Sequence, residues 1–436
     1  ALLILPQTNN WKRLMPALMR HRAVVAATVL FLISNPAIQA NGEDWCQFRG
    51  PEGQGHSSAV GLPTHWTTTE NVRWKTPVPG KGWSSPVALG SQIFLTTAVP
   101  NGKTHSLHAL CLDASTGKIA WDVTVYDSLI PSLARQIHAK NSHASPTPII
   151  DGQRVFVHFG AHGTACLTTE GTILWKTREI KYKPQHGSGG SPVLVDGLLV
   201  FNCDGSDVQF VVALDVATGK VRWQKERPPC DDPKRFAFAT PLVIEANGRK
   251  EIVSPAAHMV VAYDPKTGAE IWNVRYQGYS IAPRPVFGDG LVYLSTSFDS
   301  SVLLAIRPDG EGNVTDSHVA WKQSRSIPYT PSPLLQGRDL FLINDAGIAS
   351  CLDAKTGRPR WTHRIGGKFS ASPLLADRKI YIQSEAGETT IFRPEADRYE
   401  EIARNDLGEP TLATPGVIDH ALLIRTASAL YRIESR

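Results

Sequence analysis

Eight times in this chain a short step rich in Ser, Thr and Pro ends in a proline that opens an apolar run. The prolines are Pro86, Pro148, Pro192, Pro241, Pro285, Pro333, Pro373 and Pro415, and their mean period is 47 residues. A fixed period of that length restricts the chain to a repeat architecture. Within the units, Asp196-Gly197 precedes the run 198–201 and Asp289-Gly290 precedes the run 291–294. These are β-hairpin signals, because tight hairpin turns need a positive φ that Gly supplies. The runs are continuously apolar, as expected of strands covered on both faces.

Each unit closes on a second signature. Leu112-Asp113 with Gly117 and Trp121 recurs as Asp215, Gly219 and Trp223, as Asp264, Gly268 and Trp272, and as Asp353, Gly357 and Trp361. Gly171 and Trp175 keep the same step, and Asp309-Gly310 before Trp321 carries an insertion. Gly suits the tight turn, Asp can bond local backbone N–H groups, and Trp fills the gap toward the next unit. No stretch after residue 40 reads as an amphipathic helix. The expected fold class is therefore all-β, an eight-bladed β-propeller of four-stranded antiparallel blades, with seven blades as the alternative. The last unit has room for only three strands, and residues 71–75 with Trp74 read as an orphan fourth strand. That strand is expected to complete the last blade and close the ring. The docking residues are then Trp74, Trp121, Trp175, Trp223, Trp272, Trp321 and Trp361, and the blade around residues 399–402 lacks one.

Ahead of the repeats, Arg20-His21-Arg22 precedes an apolar run of eleven positions, 23–33, interrupted only by Thr28, and small residues ending at Ala40. This is the pattern of a secretory signal, too short to span a bilayer of about 20 residues. The competing reading is an uncleaved N-terminal anchor. Met15 would open a signal of ordinary length, which places residues 1–14 before the true start. The expected organisation is a signal at 1–40, an extension at 41–70 and the propeller at 71–436, with an exported, periplasmic or extracellular monomer. Lys12, Arg13, Arg20 and Arg22 supply +4 of the overall +5, so the remainder is about neutral. No basic footprint for nucleic acid is left.

Six cysteines would suggest disulfides in an exported chain. Cys111, Cys166 and Cys351, however, share a repeat position with Ala213, Ala262 and Ala305, which marks a small core site. Cys203 and Cys230 flank one unit and are the one pair that could bridge, but free thiols are the expected state; Cys46 has no evident partner.

The Asp-x-x-Thr-Gly-Lys-x-x-Trp closure resembles the tryptophan-docking repeat of quinoprotein alcohol dehydrogenases and of the propeller lipoprotein of the bacterial outer-membrane β-barrel assembly machinery. The run Trp45-Cys46-Gln47-Phe48-Arg49-Gly50-Pro51 followed by eight units is similar to exported bacterial PQQ-binding-like β-propeller repeat proteins. The resemblance covers about residues 44–436 and is specific for fold, not function. For the dehydrogenases it would imply pyrroloquinoline quinone (PQQ) between a Trp and a disulfide of adjacent cysteines, with Ca²⁺ alongside. No two cysteines here are adjacent, which disfavours that cofactor.

In an up-and-down blade, the approach to the first strand and the second-to-third loop share one face. That face is expected to gather His143, His162, His186, Asp204, Asp207, His258, Arg284 and Asp299 as ligand-binding candidates, with Tyr279 and Phe298 nearby. No His pair has the helical spacing of a zinc motif. Asp204 and Asp207 lack the later ligands of a Ca²⁺ loop and read rather as turn-stabilising residues. Arg284 could face an anion in the channel or bridge to a neighbouring blade. No nucleophile–base pair is legible. The expected function is a non-catalytic scaffold that binds an envelope protein or saccharide through the loop-rich face. The alternative is a PQQ-dependent or carbohydrate-active enzyme that uses the channel.

Overall fold

The computed structural model describes residues 43–134, 137–299 and 301–435. The expected signal segment lies outside them. Eight separate antiparallel sheets follow one another along the chain. Blade 1 spans residues 87–126, blade 2 149–177, blade 3 193–226, blade 4 242–275, blade 5 286–323, blade 6 334–364 and blade 7 374–406. Blade 8 takes three strands from residues 416–434 and its outermost strand, Val72–Pro77, from the other end of the chain. In that closure Trp74 lies opposite Arg432 and Pro77 opposite Ala429. The eight-bladed, end-closed architecture expected from the repeat is the one found.

The first strand of each blade lies innermost and the Trp-bearing strand outermost. Inner strands such as Leu198–Asp204 are almost wholly buried, because they are sandwiched between neighbouring blades. Outer strands such as Ile173–Thr177 alternate between half-buried and exposed residues. At the hairpin joining the first two strands of blade 5, Asp289 and Gly290 both have positive φ, 51° and 74°. That is the turn whose twist matches paired strands.

The closing signature works as a lock between blades. Trp74, Trp121, Trp175, Trp223, Trp321 and Trp361 each donate Nε1–H to a backbone carbonyl of the following blade, at Ala114, Thr169, Val216, Pro265, Ala354 and Glu395. Five of these rings lie on the turn glycine of the next blade: a Cβ on Gly219 would sit 2.5 Å from Trp175, and Gly117, Gly171, Gly268 and Gly357 are equally covered. The turn Asp accepts from the Thr N–H three residues on, as Asp113 does from Thr116 at 2.8 Å.

Two blades depart from this scheme. The insertion before Trp321 lays Gly312–Asn313 parallel to the outer strand of blade 4, so Trp272 is fully buried and turns its Nε1–H to Glu251 of its own blade. In blade 7 the Trp position is Ala403, which pairs with Ile391. Trp66, 1% exposed, packs there with Ile391 and Leu407 and donates its backbone N–H to Asn405 Oδ1. A residue from outside the repeats thus supplies the missing wedge.

Residues 43–70, within the stretch read from the sequence as an extension, belong to the compact unit. Trp45 pairs with Ala88 of blade 1, and Cys46 accepts from Ile150 of blade 2. Gln54 accepts from Phe287 of blade 5, and His56–Ser57 run parallel to Leu375–Ala376 of blade 7. The segment crosses the channel where the innermost strands end, opposite the loop-rich face, and seals it. The Cys203–Cys230 pair does not form; all six thiols are free. Cys203 is buried between blades 2 and 3, whereas Cys230 packs on the cluster between blades 3 and 4.

Candidate functional site

The residue before each repeat proline lies on the channel. Seven of the eight are hydroxyl residues: Ser85, Thr147, Ser191, Thr240, Ser332, Ser372 and Thr414. At six of the eight positions the backbone N–H donates to the hydroxyl of the next blade: Ser85 to Thr147 at 3.0 Å, Thr147 to Ser191 at 2.9 Å, and Ser191 to Thr240 at 2.9 Å. The chain resumes from Arg284 to Ser332, Ser332 to Ser372 and Ser372 to Thr414. This girdle explains the Ser/Thr-Pro step physically. The hydroxyl caps a buried N–H across the blade junction, and the proline behind it has no N–H of its own to satisfy.

Above the girdle opens a cavity of about 410 Å³, with Phe48 of the sealing segment at its floor and Trp83, His186, Phe236, Phe238, Tyr279 and Phe298 among its walls. The rings form an arc. His186 lies 5.6 Å from His138 and 5.6 Å from Phe236, Phe236 lies 5.4 Å from Tyr279, and Tyr279 lies 6.4 Å from Phe298. Phe298 stacks on Tyr329 at 5.1 Å, and both are exposed, at 43% and 39%. On the other side Lys140, from the connector between blades 1 and 2, pairs with Glu385 of blade 7, which also accepts from Ser370. These two charges neutralise each other.

The sequence candidates scatter around this cavity. Only His186 lines it. Its pKa is lowered by burial and by neighbouring His138. His143 lies between His105 at 5.5 Å and His162 at 5.4 Å, in a second cavity of about 360 Å³ beside Lys81 and Lys103. Burial pushes His143 and His162 down to about 4, with the neighbouring imidazole adding to the effect. Asp204 is buried and both its oxygens are held by Arg227, at 2.9 and 2.8 Å. Asp207 caps the N–H groups of Lys183 and Val208, the turn role. His258 donates Nε2–H to the Lys234 carbonyl, and Asp299 pairs with Lys234 at 3.3 Å on the rim.

Arg284 requires a correction: its guanidinium neither opens on the channel nor bridges to a carboxylate. It donates to the carbonyls of Pro241 and Phe48 and to Gln47, pinning the sealing segment in place. Because Arg replaces the hydroxyl at this step, the girdle breaks between blades 4 and 5. His138, Lys140, Phe236, Phe238 and Trp83 were missed by sequence reasoning, which searched for titratable groups. The available signal was aromatic: Phe236 and Phe238 before Pro241, Tyr279 before Pro285, and Tyr329 before Pro333.

The family described as outer membrane protein assembly factor BamB matches residues 64–231 and 311–397, more than half of the chain. The chain belongs to this family. A BamB of Moranella endobia (strain PCIT) is 22% identical over 309 residues, 69% of each chain. The crystal structure of BamB from Moraxella catarrhalis superposes with a TM-score of 0.58 at 14% identity, covering 83% of this chain and 99% of that one. A europium-containing methanol dehydrogenase superposes with a TM-score of 0.65 at 10% identity, covering 89% and 90%. At these identities the two structures show the shared propeller fold alone.

The residues of this BamB-family channel do not fit the quinone and metal of the dehydrogenases. The mouth offers Glu385 as a carboxylate, already held by Lys140 and Ser370. Among the described residues no group of three or more His, Cys, Asp or Glu could hold a metal ion, and no two cysteines are adjacent. Among the described residues no helix is long and apolar enough to cross a membrane.

Proposed function

We propose that this protein is an exported, non-catalytic scaffold of the bacterial envelope whose loop-rich face binds a partner at the channel mouth. The carrying observation is the exposed Phe298–Tyr329 stack, continuous with the aromatic arc that descends into a cavity closed at its far end. A rigid ring that presents aromatic side chains, with no hydroxyl hydrogen-bonded to the imidazole of His138 or His186 among the described residues, suits recognition, not turnover. Membership of a family described as an outer-membrane assembly factor supports the same reading, as does the signal-like pattern at residues 20–40.

Placing a photo-crosslinking amino acid at Phe298 or Tyr329 of the full chain in envelope preparations tests this. Discrete adducts are expected at both positions and none at exposed Val221, on the outer strand of blade 3. Equal labelling at all three, or none at the mouth, would remove the proposed face.

A further inference from the structure

Three guanidiniums lie one residue behind the hydroxyl girdle, each fully or almost fully buried. Arg49 donates to the Pro333 carbonyl, next to Ser332; Arg284 donates to the carbonyls of Pro241 and Phe48; Arg425 donates to Ser84, next to Ser85. All their protein acceptors are carbonyls, a hydroxyl and an amide; no carboxylate pairs with them among the described residues. Nε and Nη1 of Arg49 have no hydrogen-bond partner among the described residues. Burial lowers each to about 9, so all three remain charged at neutral pH. In the poorly screened interior their charge favours an anion at the adjoining girdle.

The girdle adds directional donors. Ser85, Thr147, Ser191, Thr240 and Thr414 are at most 5% exposed and line the cavity. The hydroxyls of Thr147, Ser191, Thr240 and Thr414 already accept a backbone N–H, yet none of the five has an acceptor for its own O–H among the described residues. Facing them are the rings of Phe236, Phe238, Tyr279 and Phe298. A ligand that satisfies all three features carries negative charge, many acceptor oxygens and a flat C–H face for an aromatic wall. The cavity has small-molecule size.

We propose that the channel mouth binds an acidic saccharide, a hexuronate-containing oligosaccharide whose carboxylate and ring oxygens meet the girdle while its C–H faces lie on the aromatic arc. This rests on the loop-rich face being the binding face, and it specifies the ligand class.

The test is calorimetric titration of the full-length protein with digalacturonic and dimannuronic acids, beside their methyl esters, the neutral disaccharide cellobiose, acetate, and PQQ. At least one diuronic acid is expected to bind saturably, its ester and cellobiose about tenfold more weakly or worse, and acetate not measurably. Phe298→Ala on the exposed rim and Tyr279→Ala on the wall are each expected to weaken diuronate binding about tenfold with thermal unfolding unchanged. Failure of both diuronic acids to bind, binding of the ester as tight as that of the acid, or PQQ binding more tightly than either would overturn the proposal. If crosslinks at Phe298 persist while every saccharide fails, only the ligand class falls; if both vanish, the face falls with it.

Discussion

Gly219 carries two constraints at once. Its φ is +70°, and the Trp175 ring occupies the space a side chain would need. Gly290 has a similar φ, +74°, with nothing within 4 Å of a built Cβ. Gly290→Ala should therefore cost only the left-handed penalty, about 1–2 kcal/mol. Gly219→Ala should cost that plus overpacking, about 3 kcal/mol or more in total, and urea unfolding midpoints of the two variants would separate them. Trp66 makes the complementary case. Removing it from the junction of blades 7 and 8 should cost about 3–5 kcal/mol, and an unfolding midpoint near that of the parent would show that this wedge is dispensable. His158 sets an acid limit. Fully buried against Phe201 at 4.2 Å, it is held down to about 3 by burial. The unfolded chain takes up that proton near pH 6.5, so the stability His158 contributes is present above pH 6.5 and lost as pH falls toward 3. The expected slope is about 1.4 kcal/mol per pH unit, and a His158→Phe variant should flatten it in denaturation curves taken across that range.

At the scale of elements, the strand Val72–Pro77 closes the ring through a clasp centred on Glu409. Its carboxylate accepts from Lys75, Thr426, Ser428 and Tyr431, at 2.6 to 2.9 Å. Burial pushes Glu409 up, but these four donors outweigh it and hold it at about 2. The clasp is therefore intact above the ordinary carboxylate range near 4.5 and is lost as pH falls toward 2. Glu409→Gln should unfold at lower denaturant than the parent at pH 7, with the difference shrinking below pH 4. A constant difference across that range would show that the charge is irrelevant to closure. Trp74 and this strand were legible because they copy the repeat. The wedge of Trp66 was not, since its partner position in blade 7 is a plain Ala403 and nothing local to residue 66 signals its destination.

For the whole molecule, the sealing segment turns an open channel into a blind pocket, and it does so with an unusual buried charge. Arg49 is fully buried, and two of its three nitrogens have no hydrogen-bond partner among the described residues. Such a group destabilises its own fold unless something else requires it. Arg49→Met, of similar reach and without charge, should leave Tm in scanning calorimetry unchanged or higher while weakening diuronate binding. A large fall in Tm would instead assign Arg49 a purely structural role. The candidate site was only partly legible at this scale. The loop-rich face and His186 followed from strand direction, but His143, Asp204 and Arg284 found protein partners that no spacing rule could supply.

What the chain dictates on its own is the ring. The proline step recurs eight times and the wedge tryptophan seven, most with a turn glycine, and a repeated unit with one buried solution leaves little freedom in how copies stack. The course of residues 43–70, the alignment of seven hydroxyls into a girdle and the gathering of three arginines behind it were decided by tertiary structure. Each depends on residues tens to hundreds of positions apart meeting at the ring's axis. Single-copy segments and long-range meetings carry no periodicity, so only the closed ring brings them into register.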